Sequence, residues 1–401
     1  MKLLAISFAF PPDSYPRSIQ VSRLLSALPG ECMIFCSSDD SAPKDDTILP
    51  SAPEGMHIER LPFSASFLRR CLWKLCRNVG GLPRSLSRLE TGWSNSVTKI
   101  ALAKLSQEKF APDILVSFGE PPASHATALA LKNELKIPWI AHLSDPWSDS
   151  PYLPRLAKKE ELRRERMVVE TADAVVVTSQ ETLELVSAKY PPALQKKFRV
   201  LHHAFAASRF PVIPPEHGIL RHIGSFYGIR TPSPFFKGLA ELAAARPALM
   251  NNLKIEFIGG IKEKLIDKTL LAKLPPGIIS FNAHVPYKKS LNLIGAAWGL
   301  LIIDAMAKNS VFFPSKLVEY LGSGRPVIAI TPKNSASARI VREAGGWVAS
   351  PDSPLEIAAA IEDFLSKADN WDQSAARTAA SQYEIAKVSE RFGEICEEVL
   401  Q

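Results

Sequence analysis

Short apolar runs rich in β-branched residues recur along the whole chain, and longer amphipathic segments separate them. Runs that are apolar throughout suit strands covered on both faces, as in a parallel sheet. In the first half these runs are Leu3–Phe10, Cys32–Cys36, His57–Phe63, Ile114–Phe118, Trp139–Leu143, Ala174–Thr178 and Phe198–His202. A second series begins after the proline-rich segment 211–215, with runs at 219–223, 254–258, 278–281, 299–303, 326–330 and 347–349. This alternation predicts an α/β fold made of two doubly wound parallel-sheet domains.

The length of 401 residues gives room for two domains of ordinary size. We expect a first domain over residues 1–210 and a second over 211–371. The last segment, 372–401, is predicted to be a helix that packs on the first domain. Ligands of open parallel sheets bind at the carboxyl ends of the strands, so one site is expected in a cleft between two facing domains.

The cysteines indicate a reducing compartment, and the apolar stretches bear on whether the chain spans a membrane. Five cysteines with no C-x-x-C pair predict neither a disulfide framework nor a zinc ribbon. The amino terminus is predicted to be a strand, because it lacks the basic head and the cleavage site of a signal peptide. The longest apolar stretch, 293–303, is well short of the roughly 20 residues that span a bilayer, so no transmembrane helix is expected. A cytoplasmic protein is the simplest expectation.

The charge surplus is small but unevenly distributed. Lys and Arg number 48 against 41 Asp and Glu, a net charge of +7, which admits nucleotides, phospholipid or nucleic acid as partners. No helix-turn-helix, zinc-finger or RNA-binding signature supports nucleic acid. Residues 66–88 hold six basic residues and no acidic one, interleaved with Phe, Leu and Trp. This composition predicts contact with an anionic membrane surface, and a solvated basic face is the alternative. The basic stretch 155–166, diluted by glutamates, is predicted to be an exposed helix.

The segment 311–328, VFFPSKLVEYLGSGRPVI, is the most informative for chemistry. It predicts a short helix with Ser315 as its N-cap, closed by Gly322 and Gly324, with Glu319 as the fourth helical residue. A helix amino terminus together with Lys316 suits a diphosphate, and a carboxylate such as Glu319 accepts hydrogen bonds from ribose hydroxyls. An ordinary capped helix with exposed Glu and Lys side chains is the alternative interpretation.

Residues 313–328 resemble the donor-site signature of the retaining glycosyltransferases of the GT-B fold, family 4, bacterial enzymes that build polysaccharides and glycolipids from nucleotide sugars. Segments 8–17, 137–147, 172–180 and 223–230 resemble other parts of the family in the same order. The resemblance implies two Rossmann-like domains and sugar transfer, with retention, from a nucleotide diphosphate sugar to a glycan or lipid-linked acceptor. A lipid-linked acceptor would make the basic segment 66–88 useful, so we expect a cytoplasmic enzyme that is peripheral on the inner face of the plasma membrane.

Two departures from the family pattern concern the donor site. The family carries a pair of glutamates eight positions apart, but Val311 stands where the first would be. The family's Arg and Lys after the first strand of the second domain correspond here to Ser225 and Arg230. The resemblance therefore implies diphosphate binding by Arg230 and Lys316, within a donor-binding set that comprises Gly224, Ser225, Arg230, Pro314, Ser315, Lys316, Leu317 and Glu319.

Residues of the first domain are implied on the acceptor side. Asp145 ends a predicted strand and would orient or deprotonate the acceptor hydroxyl. His142 is the alternative base, and Arg17 lies in the loop that approaches the donor phosphate in the family. The catalytic set expected from both domains is Asp145, Arg230, Lys316 and Glu319.

We expect no metal and no cofactor. Retaining GT-B enzymes are thought to let the leaving phosphate assist the incoming hydroxyl, so that stabilising the diphosphate charge is the central task. No Asp-x-Asp metal motif occurs, and the acid pairs 39–40 and 45–46 are predicted to be solvated turns. Two alternatives remain open at this point: a nucleotide-sugar 2-epimerase, for which no cluster of acids with a histidine is found, and a non-catalytic sugar-nucleotide-binding scaffold subunit, suggested by Val311.

Overall fold

The structure, a computed structural model, describes residues 1–38, 42–49, 51–63, 89–305 and 310–401. The chain divides into two compact units: unit 1 comprises Met1–His202 with Val388–Gln401, and unit 2 comprises His203–Lys387. These bounds differ from the expected 210 and 371. The reason is that Phe205 belongs with unit 2, where its backbone N–H donates to Tyr383 O at 2.9 Å and its O accepts from Ile385 N at 2.8 Å.

Unit 1 contains a seven-stranded, all-parallel sheet in the order β3-β2-β1-β4-β5-β6-β7. Its strands are β1 (Lys2–Ser7), β2 (Glu31–Ser38), β3 (Met56–Pro62), β4 (Ile114–Phe118), β5 (Trp139–Ser144), β6 (Ala174–Val177) and β7 (Phe198–Val200). Its helices are α1 (Pro16–Ser26), α2 (Leu89–Gln107), α3 (Ala123–Leu135), α4 (Lys158–Thr171), α5 (Gln180–Ser187) and α6 (Pro192–Gln195). The central strands are buried along their whole length, which explains their uninterrupted apolar sequences.

Unit 2 contains a six-stranded, all-parallel sheet in the order β10-β9-β8-β11-β12-β13. Its strands are β8 (Glu216–Ile223), β9 (Lys254–Ile258), β10 (Ile279–Asn282), β11 (Ala297–Ile303), β12 (Val327–Ile330) and β13 (Trp347–Ala349). Its helices are α7 (Ser233–Ala245), α8 (Lys268–Leu271), α9 (Tyr287–Ala296), α10 (Ser315–Ser323), α11 (Ala336–Glu343), α12 (Pro354–Lys367) and α13 (Gln373–Ala379). Its core is rich in phenylalanine, with Phe235, Phe236 and Phe364 fully buried.

The predicted helix over 372–401 is interrupted. After α13 the chain forms a short 3₁₀ turn at Ser381–Tyr383, and a new helix, α14 (Ile385–Leu400), begins only after it. The break occurs because Tyr383 turns inward, to 2% exposure, where its ring packs against Phe313. Most of α14 belongs to unit 1, where Glu398 pairs with Arg199 at 2.7 Å.

The other local expectations have mixed outcomes. Asp45 is not solvated: it is 8% exposed and accepts hydrogen bonds from the N–H and the hydroxyl of Thr47, whereas Asp46 is exposed. The pair 39–40 and the basic segment 66–88 lie outside the described residues. No described helix has the length and apolar character needed to cross a membrane.

Candidate functional site

In both sheets the winding direction reverses between two adjacent strands. In unit 2 these strands are β8 and β11, and in unit 1 they are β1 and β4. The loops that leave such a pair at its carboxyl ends diverge and form a crevice, which is where open α/β sheets bind their ligands. In unit 2 this point is marked by Gly224, directly after β8, and by Asp304, directly after β11.

Helix α10 is held against this point by a hydrogen bond to its own tyrosine. The Tyr320 hydroxyl, fully buried, accepts from the backbone N–H of Ile223 at 2.7 Å. Lys316 precedes Tyr320 by four residues and therefore shares its face of the helix. As a result, the Lys316 side chain lies directly over Gly224.

Gly224 has no side chain for a steric reason. Its φ is +131°, and a Cβ there would lie 2.6 Å from Lys316 Nζ and 2.9 Å from Cε. Gly259, after β9, has φ +134° and would bring a Cβ within 2.7 Å of the Gly224 carbonyl carbon. Gly224 therefore leaves room for Lys316, and Gly259 leaves room for the backbone of Gly224.

The beginning of α10 differs from the prediction. Pro314 precedes the first helical residue in extended conformation (ψ 126°), and no side chain caps the helix. Ser315 is already helical, so it cannot act as the N-cap. Glu319 is accordingly the fifth helical residue, Gly322 lies inside the helix, and Gly324, with φ +71°, ends it.

Lys316 is in a cationic and poorly hydrated environment. Its Nζ lies 3.0 Å from Nε2 of His222, a fully buried residue of β8. Burial and the nearby Arg230 lower the pKa of Lys316 to about 7, although Asp304 acts in the opposite direction. Near neutral pH this lysine therefore changes its charge easily, unlike an ordinary surface lysine.

Arg230 is the second cation of the site, and it is only 8% exposed. Its Nη2 lies 4.0 Å from Oδ1 of Asp304, and its guanidinium stacks over the Tyr227 ring at 5.4 Å. Asp304 Oδ2 in turn accepts from the Thr331 hydroxyl at 2.9 Å. The guanidinium therefore has a defined position in the crevice.

Glu319 lies one helical turn after Lys316 and is 7% exposed. Its Oε1 accepts from the Tyr287 hydroxyl at 2.9 Å. A carboxylate has about four acceptor positions, so Glu319 can hold Tyr287 and still bind ligand hydroxyls. Val311 is 9% exposed and apolar and supplies no second carboxylate.

The remaining residues of the predicted donor set occupy different environments. Ser225 is exposed, and its hydroxyl accepts from the Gly260 N–H at 3.2 Å. Pro314 and Ser315 are partly exposed at the beginning of α10. Leu317 is fully buried, and its backbone N–H donates to Pro314 O at 2.8 Å.

In unit 1 the structure brings Arg17 and His142 together. Arg17 belongs to α1, and its Nε donates to Gly119 O at 2.9 Å. Its Nη2 donates to His142 O at 2.9 Å and lies 3.2 Å from His142 Nδ1. Burial lowers the pKa of Arg17 to about 10, while Asp145 and Glu120 act to raise it. The guanidinium thus links the ends of β4 and β5, and Asp145 lies within its electrostatic reach.

Two residues next to this group have left-handed backbones. Glu120 has φ +61° and Ser144 has φ +72°, one after β4 and one directly before Asp145. Such conformations cost about 1–2 kcal/mol for residues with a Cβ and are concentrated at functional sites. Ser144 is held in place because its O accepts from the Thr178 hydroxyl at 3.0 Å.

The predicted exposed helix at 155–166 is in part an anchor for the loop after Asp145. In α4, Glu161 (4% exposed) accepts from the Trp147 indole at 2.7 Å, and Glu165 (fully buried) accepts from the Ser148 N–H at 2.8 Å. Glu165 also accepts from the Tyr190 hydroxyl at 2.7 Å. The expectation of a fully exposed helix is therefore wrong for its acidic face.

Five polar residues of these sites were not predicted from the sequence: His222, Asp304 and Tyr287 in unit 2, and Glu161 and Glu165 in unit 1. The sequence held a partial signal for Asp304 and for the pair Glu161 and Glu165. Asp304 is the polar residue that closes an apolar run, and Glu161 and Glu165 share the helical spacing of the buried Ala157 and Val168. For His222, within a strand, the sequence offers no such signal.

Within the described residues, no group of three or more His, Cys, Asp or Glu side chains is arranged to hold a metal ion. The described cysteines Cys32, Cys36 and Cys396 are buried free thiols, and burial raises the pKa of each to about 12. They therefore carry no reactive thiolate near neutral pH.

Comparison with known proteins gives a family match for residues 22–198 and a fold for the whole chain. Residues 22–198 match the family model described as "Glycosyl transferase 4-like domain". No curated protein sequence matches the chain. One similar solved structure is WaaG, a glycosyltransferase involved in lipopolysaccharide biosynthesis, with 14% identity, a TM-score of 0.62 and coverage of 99% of both chains. A second is an E. coli trehalose-6-phosphate structure bound with UDP-2-fluoro glucose, with 12% identity, a TM-score of 0.64 and coverage of 99% of both chains. A third is a putative UDP-N-acetylglucosamine 2-epimerase from Listeria monocytogenes, with 14% identity, a TM-score of 0.61 and coverage of 98% of this chain and 94% of the other.

These likenesses in structure extend over nearly the whole chain and establish the fold, while the family model covers most of unit 1. Residues 22–198 therefore form a glycosyl transferase 4-like domain, and the chain as a whole has the fold of the GT-B glycosyltransferases.

Proposed function

We propose that the protein transfers a sugar, with retention, from a nucleotide diphosphate sugar to a hydroxyl of a glycan or lipid-linked acceptor. The observation that carries the donor assignment is the convergence of Arg230 and Lys316 at the point where the sheet of unit 2 reverses its winding, with Glu319 one helical turn away. Two cations and a carboxylate match the charges of a diphosphate and the hydroxyls of a ribose.

The proposed chemistry depends on stabilising the leaving group. As the bond from the sugar to the diphosphate breaks, negative charge grows on the phosphate oxygens. Arg230 can hold these oxygens in a bidentate way, while Lys316 and the N–H groups at the beginning of α10 supply further positive potential. Because these groups neutralise the diphosphate, we propose a reaction that needs neither a metal nor a cofactor.

Among the acceptor-side residues, we propose Asp145 as the group that orients or deprotonates the acceptor hydroxyl. His142 is less suited, because Arg17 donates toward its Nδ1 and to its backbone oxygen. Arg17 would then act by fixing the ends of β4 and β5, with the acceptor contacted by Asp145.

The physiological setting is part of the proposal. WaaG, which shares the fold, acts in lipopolysaccharide biosynthesis, and we propose a related task for this chain in surface polysaccharide or glycolipid assembly. A cytoplasmic enzyme that is peripheral on the inner face of the plasma membrane, bound through residues 66–88, would meet such an acceptor. Support for this contact comes from the six basic residues and no acidic residue of that segment.

The test is a turnover assay with the full chain and a panel of UDP- and GDP-sugars, with and without lipid-linked and glycan acceptors. Acceptor-dependent release of nucleoside diphosphate is expected, with NMR showing that the anomeric configuration is kept. Conversion of a UDP-sugar into its C2 epimer without an acceptor would establish the epimerase instead. Tight nucleotide binding with no turnover on any acceptor would indicate a scaffold subunit.

A further inference from the structure

His222 lies directly behind Lys316, between that lysine and the core of unit 2. It is the penultimate residue of β8, and its ring is fully buried. Its Nδ1 lies 2.9 Å from the backbone oxygen of Leu301 on β11. A carbonyl oxygen only accepts, so Nδ1 carries the hydrogen, and in the neutral ring Nε2 presents its lone pair to Lys316 Nζ at 3.0 Å.

The position of the ring is fixed from two sides. It stacks on Phe226 with ring centroids 4.5 Å apart at an angle of 20°, and the Leu301 carbonyl prevents it from rotating freely. Lys316 approaches from the other side over Gly224, where a side chain would collide with it. The lysine head is therefore held by a hydrogen bond to an acceptor that cannot move away.

The charges around this pair keep the histidine neutral. Burial and the nearby cations Lys316 and Arg230 hold the pKa of His222 well below its usual range. Among the described residues, the charged groups acting on Lys316 are Arg230, from the loop after β8, and Asp304, at the end of β11. Arg230 disfavours the ammonium form and Asp304 favours it, so an incoming dianion would shift this balance strongly toward the ammonium.

We propose that His222 is a positioning residue that aims the Nζ of Lys316 at the donor diphosphate, and that Lys316 takes up a proton from the buffer as the diphosphate binds. The proton adds to the Nζ lone pair, and the hydrogen bond from Nζ to His222 Nε2 is present before and after. One N–H bond then points at the histidine, and the others are directed at phosphate oxygens. This inference rests on the proposed donor site.

The first experiment uses the unmodified full chain. The UDP- and GDP-sugars of the turnover panel, whose diphosphates have no group that titrates between pH 6 and pH 8, are titrated into the protein by calorimetry at both pH values, in pairs of buffers that differ in ionisation enthalpy. Proton uptake is expected to be clearly larger at pH 8 than at pH 6, because Lys316 is already charged at the lower pH. The Lys316→Met variant should abolish this difference. Equal proton uptake at both pH values would overturn the proposal.

The second experiment tests the histidine. His222→Phe keeps an aromatic ring on Phe226 but removes the acceptor, and it should weaken UDP or GDP binding by roughly tenfold at pH 8 and less at pH 6. His222→Gln, which restores an acceptor, should recover most of the affinity. His217→Phe, on the exposed amino end of the same strand, is the matched control and should bind like the parent.

The outcomes are distinguishable. Parent-like affinity and pH dependence in His222→Phe would overturn the role of His222 and leave the donor site intact. If this variant does not fold, the proton count of the parent and of Lys316→Met decides the proposal. A parent protein that binds neither nucleotide at either pH would overturn the donor site itself, and this inference with it.

Discussion

Arg230 and Asp304 face each other at the carboxyl ends of adjacent strands, with 4.0 Å between Nη2 and Oδ1. Asp304 is held in place by Thr331, whose hydroxyl is also 2.7 Å from that of Ser335 at the beginning of α11. A chain of buried polar groups thus extends from a helix amino terminus to the guanidinium. The position of Arg230 is consequently set by three neighbouring loops of the sheet.

This arrangement makes Arg230 the most sensitive position of the proposed donor site. Arg230→Ala should lower kcat/KM by about 10²–10³-fold, because the diphosphate charge that grows in the transition state loses its bidentate partner. Arg230→Lys should recover only part of the activity, since a lysine lacks the planar fork. Arg246→Ala, which removes an exposed arginine paired with Glu362, is the control for steady-state kinetics. Full activity in Arg230→Ala would refute the assignment.

Glu319 is expected to bind the ribose of the donor. Glu319→Ala should weaken UDP or GDP binding by roughly 10–100-fold, the loss expected when hydrogen bonds to a charged group are removed. Tyr287→Phe should have a smaller effect, because it removes one donor to the carboxylate and leaves the carboxylate in place. Calorimetric titration measures both, with the exposed Glu263→Ala as control. Unchanged affinity in Glu319→Ala would exclude a ribose contact.

The buried acid Glu165 is predicted to stabilise unit 1 and the loop after Asp145. Glu165→Ala leaves Lys189 and the Tyr190 hydroxyl without this acceptor, and should lower the free energy of unfolding by about 3–5 kcal/mol. Glu170→Ala, on the exposed side of the same helix, should change it by less than about 0.5 kcal/mol. Urea denaturation of both variants measures the difference, and equal stabilities would contradict the anchoring role.

Lys316 should make stability depend on pH in a specific direction. Its pKa is about 7 in the folded chain, below its value in the unfolded chain, so between these values the unfolded state binds more protons and stability rises with pH. Lys316→Met should therefore stabilise the protein at pH 6 by roughly 1 kcal/mol or more, and this gain should shrink as the pH approaches 10. Thermal unfolding at pH 6, 8 and 9.5 tests it, with the exposed Lys289→Met as control. A stability gain in Lys316→Met that does not change with pH would show that the fold does not lower the pKa of Lys316.

The basic segment 66–88 is predicted to bind anionic membranes. Replacing Arg69, Arg70, Lys74 and Arg77 by glutamine should reduce partition to anionic vesicles strongly, at about 1 kcal/mol for each charge near the surface. A control variant with Lys262, Lys264, Lys288 and Lys289 replaced by glutamine should bind like the parent. Unchanged vesicle binding in the first variant, measured by co-sedimentation, would exclude this contact.

The sequence by itself determined most of the local structure of this protein. Short runs that are apolar throughout predict parallel strands covered on both faces, and the amphipathic segments between them predict helices. It also placed α10 between Pro314 and Gly324, because proline and glycine have strong local backbone preferences, although Ser315 is not the N-cap and Gly322 lies inside the helix. Errors occurred where a buried side chain competed with local preference, as at Tyr383, which breaks the predicted final helix.

Only the tertiary structure decided which polar residues meet. His222, Asp304 and Lys316 are far apart in the chain and come together because β8 and β11 are neighbours in the sheet and α10 is bonded to the end of β8. Likewise, the inward direction of Glu161 and Glu165 depends on Trp147, Ser148 and Tyr190, which other elements supply. Local propensity acts over a few residues, whereas the burial of a charge is decided by partners from distant segments, and these are fixed only when the sheet is assembled.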